Sequence, residues 1–384
     1  MRQIKELQYL RSHPFCIYGA GTVATSVYAA IKTLYDITPL CFLVSDSAGR
    51  GGLDKPPEEI DGISVRRLSE WKPVSTAYLI ATPEEHHAAI IEGLRSLMKD
   101  PCIIPVTNTM ENELMEAYYS ADSKCGTVGK LLSESRAGES VGTMASEVRV
   151  FQAKSHMDKL LGGQHSQLKG QTDLYPRYII PIQVGTALTT RTIAEVKDNT
   201  GDNISDKNRN YCELTATYYA WKHSNAAYKG ICHYRRILDI SDMQIQALLE
   251  KKQEWDVIMP YPSVQYPDIS AQHTRYVKEG DWNAMLQALQ ETAPEYLEAY
   301  EEYVATGGQF FNNFNILIAK APVFDDYCSF LFRVLRRTEE LTTPKGWERA
   351  DRFAGYLGEN LTTIYFIKKR EILKIAYAGK LCLT

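Results

Sequence analysis

The chain has 384 residues, 44% of them hydrophobic and 23% charged, with a net charge of −4. That length exceeds one ordinary domain, so two are expected, and the composition is that of a soluble globular protein. The weakly acidic balance excludes a global attraction to nucleic acid or anionic lipid. Eight scattered Cys without a Cys-x-x-Cys pair fit a reduced, cytoplasmic setting better than a disulfide framework. The N-terminus is charged and lacks the apolar core of a signal peptide. No apolar run approaches the roughly 18 residues that span a bilayer.

Residues 15–18 read as a strand, Gly19-Ala-Gly21 as a turn and residues 22–34 as a helix. Further strands are expected at 39–44, 77–81 and 102–106, with a helix over about 84–98. This βαβ rhythm predicts a parallel sheet in a first domain, 1–132. Gly19, Gly21 and Ala24 match a dinucleotide fingerprint in its proper context, and Asp46 follows the next strand, where an acidic side chain could meet a ribose. NAD or another nucleotide is therefore a candidate ligand, against a domain of this fold that serves only in assembly. His86 and His87 are adjacent and point about 100° apart on a helix, which makes them poor joint metal ligands.

Residues 133–146 are small, polar and nonperiodic, a linker by composition. A second domain, 147–384, opens with a strand at 148–152. Asn199-Thr-Gly-Asp-Asn203 is a turn sequence, Ser205 a candidate helix N-cap and 206–222 a helix. Tyr211, Leu214, Tyr218 and Trp221 form its buried stripe. Glu213 sits between apolar lines and needs a partner, with Arg235 or Arg236 the structural candidates. A short strand at 230–232 delivers His233-Tyr234-Arg235-Arg236 at its C-terminal end, the edge where open α/β sheets bind ligands. Arginine forks suit phosphate oxygens.

The run Asp198-Asn-Thr-Gly-Asp-Asn-Ile-Ser-Asp-Lys-Asn208, the segment Tyr211-Cys-Glu-Leu-Thr215, Ala220-Trp-Lys222 and Cys232-His-Tyr-Arg-Arg236 resemble the domain of unknown function 4422 glycosyltransferases of bacterial capsular polysaccharide and O-antigen clusters. The resemblance covers about 148–367. It implies a GT-A-like α/β transferase that uses a UDP-sugar, with UDP-galactofuranose suggested as donor. On this reading Gln183, Gly185, Asp202, Asn203, Ser205, Lys207, Asn208, Glu213, His233, Tyr234, Arg235, Arg236, Asn313 and Asn315 are donor-binding candidates. Gly355-Tyr-Leu-Gly-Glu-Asn-Leu361 falls where the family shows Gly-Phe-Leu-Ser-Glu-Arg-Leu, so Glu359 is matched and Asn360 replaces an Arg.

Transfer requires counter-charge for a departing diphosphate and a base for the acceptor hydroxyl. No Asp-x-Asp follows an apolar strand, so the expectation is a transferase without a metal. Arg235 and Arg236, with Lys207 and His233, would supply the charge. Glu359 is the foremost base candidate, with Asp202, His273 and Asp281 behind it, and Gln272, His273 and Trp282 lie in a segment suited to sugar stacking. The expected partners are a nucleotide-sugar donor and a lipid-linked or oligosaccharide acceptor, with no nucleic acid and with a homo-oligomer left open. Basic residues from Lys368 to Lys380 suggest peripheral contact with the inner face of the plasma membrane, against a solvated helix end. A nucleotide-binding scaffold of a polysaccharide cluster and an NAD-dependent sugar-nucleotide oxidoreductase are the alternatives.

Overall fold

The structure is a computed structural model. It describes the chain apart from residues 1–3, 48–55, 73–75, 134–146, 160–175, 271–275, 306 and 384. The chain forms two compact units. The first comprises Met1–Ser123, Ser263–Arg275 and Gln309–Phe311, and the second comprises the remaining segments from Lys124 onward. This differs from a split at 133–146. Strand Gly126–Thr127 pairs with Ile375–Ala378 at the edge of the second sheet. Strands Ser263–Val264 and Phe310–Phe311 pair as a ribbon, and the Val264 N–H donates to Ser26 Oγ in the first unit at 3.1 Å. The expected linker, save Ser133, lies outside the described residues.

In the first unit the strands lie in the order Glu59–Ile60, Ile63–Arg67, Phe42–Val44, Phe15–Tyr18, Ala77–Ile80, Cys102–Pro105. All are parallel except the Glu59–Ile60 edge. The central strands are buried throughout, as parallel strands covered on both faces must be. Gly19 has φ 131°, and a Cβ there would stand 2.4 Å from the Ala81 carbonyl oxygen. Only glycine lets the turn pass this close to the neighbouring strand. Helix Thr22–Tyr35 follows, and nothing lies within 4 Å of a Cβ built on Gly21. The Asp46 carboxylate is engaged within the unit, accepting from Ser69 Oγ at 2.6 Å and Ser69 N at 3.2 Å. His87 is buried, and its Nε2 meets the Thr82 carbonyl at 2.8 Å, a structural tie. A cleft of 450 Å³ in this unit lies along the edge strand Cys102–Pro105, with Tyr9 and Met110 on its walls, and none of the glycine-turn residues line it.

The second unit is built on a mixed sheet. Its main order is Val196–Lys197, Ile179–Gln183, Val148–Lys154, Tyr228–His233, Leu317–Lys320, Val257–Pro260, Ile375–Ala378, Gly126–Thr127. Only Leu317–Lys320 runs antiparallel to its neighbours on this path. The C-terminal ends of Val148–Lys154, Ile179–Gln183 and Tyr228–His233 therefore share one edge with the chain entering Leu317. Helix Ala321–Leu341 buries Phe324, Cys328, Leu331 and Leu335 at helical spacing. Helix Phe353–Lys369 is nearly enclosed: from Phe353 to Phe366 every residue is buried except Tyr356 and Glu359.

One earlier expectation changes here. Asp281 and Arg349 form a bidentate pair at 2.5 and 2.7 Å with both side chains under 9% exposed, which removes Asp281 as a base. Three basic residues of the tail are paired with carboxylates. Lys368 pairs with Glu298, Lys369 with Asp326 and Arg370 with Glu302, while Lys374 Nζ donates to the Gln253 carbonyl. These pairs turn three of the tail's cations onto acidic side chains of neighbouring helices. No helix among the described residues is long and apolar enough to cross a membrane.

Breaking the buried Asp281–Arg349 pair leaves Arg349 with Asp351 as its remaining carboxylate, held at 2.9 and 3.0 Å from Nε. Asp281→Asn, which keeps one paired carboxylate beside Arg349, is expected to cost about 1–3 kcal/mol, read as a lower urea midpoint at unchanged slope. A midpoint equal to the wild type would show that Asp351 alone suffices for Arg349.

Candidate active site at the sheet edge

Strand Tyr228–His233 ends in a tight hairpin, with His233 opposite Arg236 in strand Arg236–Leu238. Gln152 is fully buried in the adjacent strand. Its Nε2 donates to the His233 and Tyr234 carbonyls, each at 3.3 Å, and so fixes the hairpin. Sequence reasoning missed this residue; its signal was a lone amide closing an apolar strand. Arg235 lies over the Tyr234 ring at 5.7 Å, and Arg236 over the Phe314 ring at 4.5 Å. Both arginines thus follow the C-terminal end of Tyr228–His233, the edge where open α/β sheets bind ligands.

The helix expected over 206–222 is broken. A 3₁₀ turn at Ser205–Lys207 leads into Asn208–Tyr211, and a second helix runs Leu214–His223. Between them Cys212 takes φ 51° and ψ −125°, a conformation unfavourable for any residue but glycine. Asn208 supports the break by donating to the Cys212 carbonyl at 2.7 Å and to Thr215 Oγ at 3.1 Å. The break aims Glu213 at neither arginine. Its Oε1 accepts from Asn315 Nδ2 at 2.7 Å and lies 3.6 Å from His233 Nε2.

Asn315 follows Phe314, and both hold positive φ, 75° at Phe314 and 49° at Asn315. The Phe314 N–H donates to Glu359 Oε1 at 2.9 Å. His233 reaches the Phe314 backbone through its other ring nitrogen, since Nε2 is buried without a hydrogen bond. One strained turn therefore carries a donor to each of two carboxylates. Of the seven described non-glycine residues with positive φ, Cys212, Phe314, Asn315 and Arg352 surround this spot. Arg352 joins through Nε, which donates to Cys212 Sγ at 3.3 Å.

Burial, with the Glu213 charge beside it, raises the Glu359 carboxyl to about 8. The Phe314 N–H and the Arg236 and Arg352 charges oppose that rise. Burial holds the His233 imidazole below its usual value, and Arg236 pushes the same way against Glu213. Burial thus works against the charged imidazole that a counter-cation role for His233 requires. Lys207 Nζ is paired with Glu339 at 2.7 Å.

Most of the other expected donor-binding side chains are spent on the loop itself. Gln183 donates to the Arg191 carbonyl at 2.6 Å and accepts from Ile193 N at 2.9 Å. Gly185, at φ 65°, faces Asn208, whose Oδ1 would stand 2.7 Å from a Cβ. Asn203 accepts from Ser205 N and donates to the Gly201 carbonyl. Ser205 is no helix N-cap: its Oγ donates to Asp198 Oδ1 at 2.5 Å and accepts from Ala187 N at 3.0 Å. Asp198, 1% exposed, also accepts from Gly185 N and Thr186 N, so this missed carboxylate organises the loop. Asp202 accepts from Tyr218 Oη at 2.9 Å and lies 3.8 Å from Lys222, which ties the loop to Leu214–His223. Asn313 is buried at the head of the strained turn. Trp282 is buried, and Gln272 and His273 lie outside the described residues. Among the described residues no group of three or more His, Cys, Asp or Glu is arranged to hold a metal ion.

Glu359 makes a stability prediction. Below pH about 4.5 both states carry the proton. Between there and about 8 the unfolded carboxyl ionises while the folded one keeps its proton, so folding stability declines as pH rises. Glu359→Gln retains the acceptor for Phe314 N–H and lacks this loss. Its melting temperature should gain on the wild type steadily from pH 5 to 8 and then level off. A pH-independent difference would refute the raised carboxyl.

A comparison with curated proteins finds no match. Among solved structures, one described as the apo WbbM bifunctional glycosyltransferase is similar, with 23% identity and a TM-score of 0.50. The likeness covers 62% of this chain and 45% of that one, so it spans less than half of that protein and bears on fold alone. A family model matches residues 160–370, more than half of the chain and the region that carries Glu213, His233, the arginine hairpin and Glu359. The chain belongs to the family described as Domain of unknown function (DUF4422).

Proposed function

We propose that the second unit is a glycosyltransferase that moves a sugar from a UDP-sugar to a capsular or other cell-surface polysaccharide acceptor. The observation that carries this reading is the meeting of Glu359 with the Arg235–Arg236 hairpin across the Phe314 turn. The acceptor hydroxyl gives its proton to the ionised Glu359 carboxylate, and its oxygen bonds to the anomeric carbon. The bond from that carbon to the diphosphate breaks, and UDP leaves with the electron pair. Arg235 and Arg236 stabilise the charge that develops on the phosphate oxygens, taking the part that a divalent metal plays elsewhere. A base near 8 is well matched to neutral operation, since a weaker acid accepts the proton more completely. The sequence resemblance suggests galactofuranose as the transferred sugar, and the WbbM likeness is compatible with the fold this needs.

The test is UDP release from a panel of UDP-sugars, UDP-galactofuranose included, run in excess chelator. Release from at least one donor is expected, with kcat/KM climbing as pH approaches 8 and level above it. Glu359→Gln should lose about 10²-fold in turnover together with that pH dependence. No release from any donor would defeat the transferase reading. Release that requires added manganese would defeat the arginine role.

A further inference from the structure

Helix Phe353–Lys369 leaves two residues of an otherwise buried run only partly covered, Tyr356 and Glu359. They are three residues apart and so share one face. Burying a tyrosine at this position would match its neighbours, yet Tyr356 remains partly open beside a candidate base. Its ring stacks on Tyr276, also half-buried, with centroids 5.6 Å apart and planes 22° from parallel. The Arg352 guanidinium lies 5.6 Å from the same ring. Arg352 is exposed and gives its Nε to Cys212 Sγ. Its two Nη groups and the Tyr356 hydroxyl make no hydrogen bond to any described residue. Ion pairs hold this arrangement from both sides. Lys278 reaches Asp351 at 3.0 Å, and Asp281 clasps Arg349, so the segment that carries Tyr276 is fixed against the start of the helix.

We propose that Tyr276, Tyr356 and Arg352 form the subsite for the sugar ring of the acceptor. The inference rests on the transferase reading and adds the place where the acceptor binds. A pyranose presents an apolar C–H face that packs on aromatic rings and a rim of hydroxyls that need donors and acceptors. The tyrosine pair supplies the first, and the Arg352 Nη groups and Tyr356 hydroxyl supply the second. One helical turn on, Glu359 stands where a hydroxyl of a ring so held could hand over its proton. The sugar-stacking role foreseen for Trp282 thus passes to Tyr276 and Tyr356, because Trp282 is in the core. Arg352 is exposed and anchored at one nitrogen only, which leaves its fork for a polar ligand.

The test measures binding of methyl galactopyranoside, methyl glucopyranoside and methyl mannopyranoside to the full chain with UDP present, by saturation-transfer NMR. At least one glycoside should bind the wild type at millimolar concentration. Tyr356→Ala and Arg352→Ala should each weaken that binding about tenfold or more. Tyr356→Phe keeps the ring and should stay within about threefold of the wild type. Thermal unfolding of each variant establishes that it is folded. Overturning results are no binding by any glycoside, wild-type binding by Tyr356→Ala, or equal losses in Tyr356→Phe and Tyr356→Ala. Donor cleavage by the wild type without glycoside is read in parallel. Cleavage without glycoside binding sinks the acceptor subsite alone, whereas absence of cleavage sinks the transferase reading beneath it.

Discussion

The turn at Phe314 and Asn315 is the constraint on which the site depends. Two consecutive residues hold left-handed backbone conformations, at a cost of roughly 1–3 kcal/mol each. In return the Phe314 N–H points at Glu359 and the Asn315 amide at Glu213. The Phe314 ring meanwhile receives the Arg236 guanidinium. One residue thereby ties a carboxylate on a helix to a cation on a hairpin. The antiparallel strand Leu317–Lys320 is what brings the turn to this edge, since it enters the sheet where Tyr228–His233 leaves it.

Electrostatics follow from that placement. Two carboxylates share one partly enclosed space, and the two need not both ionise. Glu213 has the Asn315 amide and His233 beside it, while Glu359 has a backbone donor and rises to about 8. A site with one neutral carboxyl repels a diphosphate less than one with two charges. The same proton must leave before Glu359 can act, so binding and chemistry draw on opposite states of one group. The strain at Cys212 and Arg352 has a matching sense: it breaks one helix to aim Glu213 and starts another with a cation beside Tyr356.

Much of the frame was legible in the sequence. The glycine turn before helix Thr22–Tyr35, and the delivery of His233 to Arg236 at a strand end, follow from local pattern. The shared face of Tyr356 and Glu359 is likewise a matter of helical spacing. The partners of Glu213 were not legible, because Asn315 lies 102 residues away and no local signal links the two. The break at Cys212 was hidden for a different reason. Apolar spacing runs unbroken from Tyr211 through Leu214 to Tyr218, so the period predicts one helix where tertiary hydrogen bonds impose two. Polar residues of the 198–208 loop looked like ligand contacts because a loop that binds and a loop that braces itself use the same amides and hydroxyls. Only the hydrogen bonds of Asp198, Asn203 and Ser205 tell them apart.

In the proposed transferase the donor diphosphate binds at the Arg235–Arg236 hairpin, across the Phe314 turn from Glu359. A crystal structure with UDP tests this most directly. The expected result is diphosphate oxygens within hydrogen-bond reach of the Arg235 or Arg236 guanidinium. Diphosphate seated instead at the Gly19–Gly21 turn, with the hairpin unoccupied, would contradict it.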